Sequence, residues 1–325
     1  MRLLIPFCGL LLALAAPAPA QDYPPDHQGT FSILGRDPAT GELGMAVQSK
    51  TIAVGSRTRS GKGGLAVIAH QSASNPLYGE LGIQLLQAGM TPQAALDMML
   101  RADEGRDSRQ VAILDIQGRT AAWTSPTITD WKGHRCGVDY CAEGNTLTGP
   151  EVVDALAASF EASSGPLAER LLDALWAGQQ AGGDKRGTES AALWILKPLS
   201  LAGYSDRALD LRVDEHKAPI PELRRILTAV RTQETLGEAA RLAGSGDLQG
   251  ALTLAQGARE RSPELDGVWV ALANIHLRLG ARADALQEVA KAIELNPANK
   301  RQLPLNSAFK ELLGDAEFRR MTGAR

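Results

Sequence analysis

The chain has 325 residues, 44% hydrophobic and 22% charged, a globular balance that excludes wholesale disorder; its 33 Gly and 17 Pro follow no collagen period. The 34 Lys and Arg stand against 37 Asp and Glu, so no basic surplus exists to neutralise phosphates, which argues against nucleic-acid binding. At roughly 150 residues per domain the length suggests two domains, and with only 14 aromatic residues their cores must be mostly aliphatic.

Arg2, the apolar run Leu3–Ala16 and the triplet Ala18-Pro19-Ala20 read as an export signal with an A-x-A cleavage site. The run is too short to span a bilayer, which takes about 20 apolar residues. Residues 1–20 are therefore expected to be removed on export to the periplasm or beyond, with residues 21–29 forming a short propeptide or linker. No later segment is apolar for long enough to cross a membrane. Apolar β-rich runs follow at Thr30–Arg36 and Leu43–Ser49, joined by Asp37–Glu42 with the Asp, Pro and Gly of a hairpin turn, where Asp37 does turn work. Further strands are expected at Leu65–Ser72, Gln110–Ile116 and Arg119–Thr124, and helices at Gly79–Ala88 and from Pro92, capped by Thr91. Arg109 is read as a structural ion-pair partner.

Cys8 leaves with the signal, whereas Cys136 and Cys141 remain, spaced to close a short surface loop by a disulfide in an oxidising compartment. Such a loop contributes roughly 2 kcal/mol in the chain-entropy account. A metal pair or free thiols are the alternatives, but the five His stand at no ligand spacing, so neither metal nor cofactor is expected. Helices at Glu151–Ala162 and Pro166–Ala181, strands at Ser190–Lys197 and Asp210–Val213, and a helix at Pro221–Val230 complete an α+β layered fold with mainly antiparallel sheets.

The C-terminal third repeats itself at a spacing of 34 residues: Ala239 on Ala273, Gly246 on Gly280, Ala251 on Ala285, Ala258 on Ala292 and Pro263 on Pro297. Small residues at fixed positions let antiparallel helices approach, and the pattern resembles the tetratricopeptide repeat (TPR). Two repeats are fewer than the three that usually stand alone, so residues Leu305 to Phe318 are expected to cap the stack.

No G-x-S-x-G, H-E-x-x-H or S-x-x-K signature is present, and Gly61-Lys62-Gly63-Gly64 is not a P-loop. Thr30 opens the first strand after Gly29. Once the preceding bond is cut, its α-amine can take the proton of its own hydroxyl near neutral pH. Lys50, ending the second strand, would lie beside it and lower the amine pKa. Taken alone, Gly29-Thr30 reads first as a common dipeptide with an ordinary β-branched residue starting a strand.

The segments Thr30–Gly55, His70–Gly82, Asp107–Arg119, Glu143–Val153, Ala181–Leu193 and Asp210–His216 together resemble the DUF1028 family. The resemblance covers Thr30 to about Val230. It implies a four-layer αββα sandwich like that of the N-terminal nucleophile (Ntn) hydrolases, with domains at 30–230 and, for the TPR-like part, 231–325. It also implies Thr30 as nucleophile, Lys50 as tuner of its amine and Asn145 as an oxyanion-hole donor. Gln71 and Asn75 would orient a substrate carbonyl, and Asp184 and Arg186 would clamp the substrate. Thr188 and Glu189 depart from the basic residue and Gln expected before the "SAAL" segment. The expected function is hydrolysis of an amide or peptide-like bond, cell-wall fragments included, by an exported enzyme whose repeats dock a protein partner. A non-catalytic peptide- or cell-wall-fragment-binding protein on the same fold is the alternative, and a second copy of the chain is a further candidate partner.

Overall fold

Asp37 closes the first hairpin: its Oδ1 accepts from Ala39 N at 2.8 Å and its carbonyl from Gly41 N at 2.9 Å, with Gly41 at φ 72°. This turn joins β1 (Thr30–Asp37) to β2 (Glu42–Ser49) in a register that sets Thr30 opposite Ser49. The computed structural model describes residues 29–198 and 205–324, so the expected export signal, Cys8 and residues 21–28 lie outside the described residues. Around the hairpin are β7 (Trp131–Gly137), β8 (Tyr140–Leu147), β9 (Ser190–Leu196) and β10 (Arg207–Val213), completing a six-stranded antiparallel sheet in the order β10-β9-β2-β1-β8-β7. A second antiparallel sheet contains β3 (Arg59–Lys62), β4 (Ala66–Ser72), β5 (Arg109–Asp115) and β6 (Thr120–Thr124) in that order.

Alternation along the strands sorts their side chains into layers. Leu34, Met45, Val47, Val67, Ala69, Ala112 and Leu114 meet between the two sheets. On the outer face of the six-stranded sheet, Phe31, Ile33 and Leu193 pack under α3 (Glu151–Ala162) and α4 (Leu167–Gln180). Ile68 and Ile113 of the other sheet pack under α1 (Leu77–Gln87) and α2 (Pro92–Ala102), the latter capped by Thr91 with Pro92 at its first position. The result is a four-layer αββα sandwich. Gly35 and Gly44 face one another across β1 and β2, and a Cβ on Gly44 would meet Leu171 and Ile195 at 2.7 Å. Their bare backbones let α3 and α4 lie directly on the sheet.

Three strands were not expected from the sequence: β3, β7 and β8. Cys136 and Cys141 are register partners on β7 and β8 and are disulfide-bonded as expected; the short loop they close is the β7–β8 hairpin turn, with Val138 exposed at its tip, so the bridge also staples the strand pair. Cys141 is fully buried between the sheets.

Helix α5 (Pro219–Ser245) runs unbroken through residue 230, where the domain boundary was expected. Its first half buries Ile220, Leu223 and Leu227 in the sandwich; its second half buries Ala239 and Ala243 against α6 (Leu248–Arg261) and α7 (Asp266–Arg278). Gly246 and Gly280 both take positive φ, 96° and 78°, just past α5 and α7, and the repeat-matched alanines are fully buried. Behind α8 (Arg282–Leu295), Phe309, Leu312 and Phe318 close the stack as the expected cap. Among the described residues, no helix is long and apolar enough to cross a membrane.

Candidate active site

Antiparallel partners share a face of the sheet, so the register of β1 builds a polar patch at one end of the inter-sheet layer. Thr30 stands between Ser49 on β2 and Asn145 on β8. Two residues along, Ser32 stands opposite Glu143, which in turn stands opposite His134 on β7. From the facing sheet come Gln71 of β4 and Gln110 of β5, themselves register partners. Thr30, Ser32, Ser49, Gln71, Gln110, Glu143 and Asn145 are all buried.

Hydrogen bonds tie the patch together. Ser32 Oγ donates to Gln71 Oε1 at 2.5 Å, and Gln71 Nε2 donates to Gln110 Oε1 at 2.8 Å. Asn145 Nδ2 donates to the same Gln110 Oε1 at 2.8 Å, while Gln110 Nε2 reaches the Gly144 carbonyl at 2.8 Å. Gln71 Nε2 also lies 3.4 Å from the Thr30 carbonyl. Asn145 Oδ1 and both oxygens of Glu143 have no partner among the described residues. Burial without a partner pushes the Glu143 carboxyl well above the ordinary carboxylate range, so it is held neutral.

The Gly29 carbonyl oxygen is the focus of the site. Ser49 Oγ donates to it at 2.5 Å, Thr30 Oγ1 at 2.6 Å and Arg186 Nη2 at 2.7 Å. Thr30 Oγ1 is also 3.1 Å from Ser49 Oγ. Arg186 is oriented by Asp184, with Nε to Oδ1 at 3.1 Å and Nη2 to Oδ2 at 2.8 Å. Asp184, its side chain fully buried, further accepts from the backbone N–H groups of Lys50 and Arg186. Its loop is pinned to the end of β8 by a bridge from Leu147 to Asp184 and by Lys185 N donating to the Thr146 carbonyl.

Of the residues singled out from the sequence, Thr30, Gln71, Asn145, Asp184 and Arg186 thus gather at one place. Lys50 does not join them with its side chain: it lies one residue past Ser49, and its Nζ is 3.5 Å from Glu189 Oε2. The cation beside Gly29 is Arg186. Asn75 Oδ1 accepts from Leu77 N at 3.0 Å and is spent on the turn into α1. Arg109 pairs with Asp103. His70 faces the helical side of β4, held between Ser60 and Ser74, and burial pushes it down to about 4, so it stays neutral.

Sequence reading missed Ser32, Ser49, Gln110 and Glu143. The pairing of Thr30 with Ser49 follows from counting back from the Asp37–Glu42 turn, and Glu143 opens the segment that contains Asn145. Among the described residues, clefts of about 580, 490 and 430 Å³ lie beside Tyr140 and Glu161, beside α2, and between α4 and α5, away from this patch.

The profile of the family of unknown function DUF1028 matches residues 30–223. The chain belongs to this family. A tetratricopeptide-repeat profile matches residues 242–305. A solved DUF1028 protein from Silicibacter pomeroyi is 34% identical, with the match covering 62% of this chain and 85% of that one at a TM-score of 0.57. No curated protein matches the chain. The DUF1028 match begins at Thr30, the first residue of β1, and takes in every side chain of the polar patch together with Asp184 and Arg186.

Proposed function

We propose that this DUF1028 protein is an exported N-terminal nucleophile hydrolase that cleaves an amide or peptide-like bond through Thr30. The observation that carries the reading is the Gly29 carbonyl oxygen, met by two hydroxyls and a guanidinium in a buried site. Donors already in place where negative charge develops are what an acyl-transfer site needs, and a water-poor surrounding strengthens them.

Release of Thr30 is the first step. Its Oγ attacks the Gly29 carbonyl carbon, the carbonyl electrons move onto the oxygen held by Ser49 and Arg186, and the Gly29–Thr30 C–N bond breaks. The hydroxyl proton ends on the Thr30 nitrogen, and water hydrolyses the resulting ester. In turnover the freed α-amine takes the Oγ proton and passes it to the leaving amine of the substrate; water then completes hydrolysis. Arg186, whose Nη2 lies 2.7 Å from the Gly29 carbonyl oxygen, is the cation near that amine and lowers its affinity for a proton.

Export is part of this reading, supported by the signal-like first 20 residues and by a Cys136–Cys141 disulfide suited to an oxidising compartment. The TPR repeats serve protein–protein interaction, docking the enzyme on a partner. Mass spectrometry of the purified protein tests the reading: the chain is expected to begin at Thr30, and a Thr30→Ala variant to keep Gly29. Hydrolysis by a chain that retains Gly29 would refute it and would favour a different nucleophile.

A further inference from the structure

The conformation of Gly29 also bears on the substrate. When Thr30 Oγ attacks the Gly29 carbonyl, the product is a glycyl ester on that oxygen. Any substrate in turnover passes through the same kind of ester on the same oxygen, its carbonyl facing the same Ser49 and Arg186 donors. The α-carbon of Gly29 therefore marks where the α-carbon of a substrate's acyl group sits.

That position has no room for an L substituent. A Cβ built on Gly29 would lie 2.6 Å from Asp184 Oδ2, 2.7 Å from Asp184 Oδ1 and 2.7 Å from Arg186 Nη2. These atoms are not the loose end of a flexible chain. Asp184 Oδ2 receives Lys50 N at 3.0 Å, Oδ1 receives Arg186 N at 2.9 Å, and both oxygens bind the guanidinium. Moving the carboxylate aside would break these bonds in a buried place, where an unpaired charge is costly.

From this we infer that the enzyme accepts acyl groups whose α-carbon bears no branch, glycyl or acetyl in kind, and rejects L-amino-acyl groups with a side chain. The inference rests on Thr30 being the nucleophile. In the step itself, Thr30 Oγ forms the C–O bond, the acyl C–N bond breaks, and the Oγ proton leaves on the amine. Water then donates OH to the acyl carbon and its remaining proton returns to Oγ.

The test uses a chain expressed from Met followed by Thr30, with Met removal verified by mass. It is treated with the 4-nitrophenyl esters of N-formylglycine and N-formyl-L-alanine, which differ by one methyl. Acylation of Thr30 is read by peptide mass spectrometry and nitrophenol release, with Thr30→Ala subtracting reaction at other groups. The glycine ester is expected to acylate Thr30 about 100-fold faster, at the upper range of discrimination for one carbon. Equal rates would overturn the inference and leave the nucleophile intact. Acylation by neither ester would overturn the nucleophile, and the acyl preference with it.

Discussion

Both oxygens of Glu143 are buried without a partner among the described residues, and the neighbours set by register are Ser32 and His134 rather than a cation. Its folded-state pKa is raised above the unfolded one, so the native state holds the proton more tightly. Stability from this group is complete below about pH 4.3, the unfolded value, and is lost as pH rises through the folded value. Glu143→Gln keeps the shape and removes the titration. At pH 8 the variant is expected to melt several degrees higher than wild type, because each pH unit over which the native state keeps a proton that the unfolded chain has lost weighs about 1.4 kcal/mol against folding. The two melting curves should converge toward pH 4; parallel curves across the range would contradict a neutral Glu143. At Ser49 the expectation concerns rate. Removing one donor to the developing oxyanion costs about 10²-fold, so Ser49→Ala should slow release of Thr30, followed by N-terminal mass spectrometry over time, by that order.

At the scale of elements, legibility tracked side-chain chemistry. The β1–β2 hairpin, α3 and α4 were readable because apolar residues recur at the strand or helix period and Asp, Pro and Gly mark the turn. β8 was not, since Glu143 and Asn145 replace the apolar residues on its inward face, and β7 is an edge strand carrying Lys132, His134 and Arg135. The polar residues that make the candidate site are what hid the strand holding them. Reading residue types near a strand end does not settle which face each one takes: Ser49 is the register partner of Thr30, while the Nζ of Lys50, one residue on, lies 3.5 Å from Glu189 Oε2. The helical repeat was legible because small residues recur at a 34-residue spacing, a packing requirement that shows in the order of the sequence. Packing of α4 on β2 gives a test at this scale. Gly44→Val places methyls where Leu171, Ile195 and the Trp194 carbonyl already lie within 3 Å of a Cβ. Overpacking of that kind costs about 1–3 kcal/mol, and urea unfolding should show a lowered midpoint; an unchanged midpoint would mean that the helices do not rest on the bare backbone.

Across the whole molecule, α5 is a single helix serving two hydrophobic cores. Its middle is fastened on both sides: Arg231 binds Glu169 of α4 through two nitrogens at 2.8 and 3.1 Å, and Thr232 Oγ1 meets Ser262 Oγ at 2.8 Å at the end of α6. Helix cooperativity then transmits loss of structure in one half to the other, so sandwich and repeats are expected to unfold in one calorimetric transition. Gln233 is exposed in this stretch, and replacing it by Pro removes a helical hydrogen bond without deleting a buried side chain. The break costs about 3 kcal/mol or more and falls between the two cores. Gln233→Pro should therefore split the transition, with the repeats melting first, because two repeats lack the third that usually makes such stacks stable. Limited proteolysis should cut near residue 233, while release of Thr30 continues, since none of the side chains around Gly29 comes from α5. A variant that still melts as one transition would show that contacts other than the shared helix join the two cores.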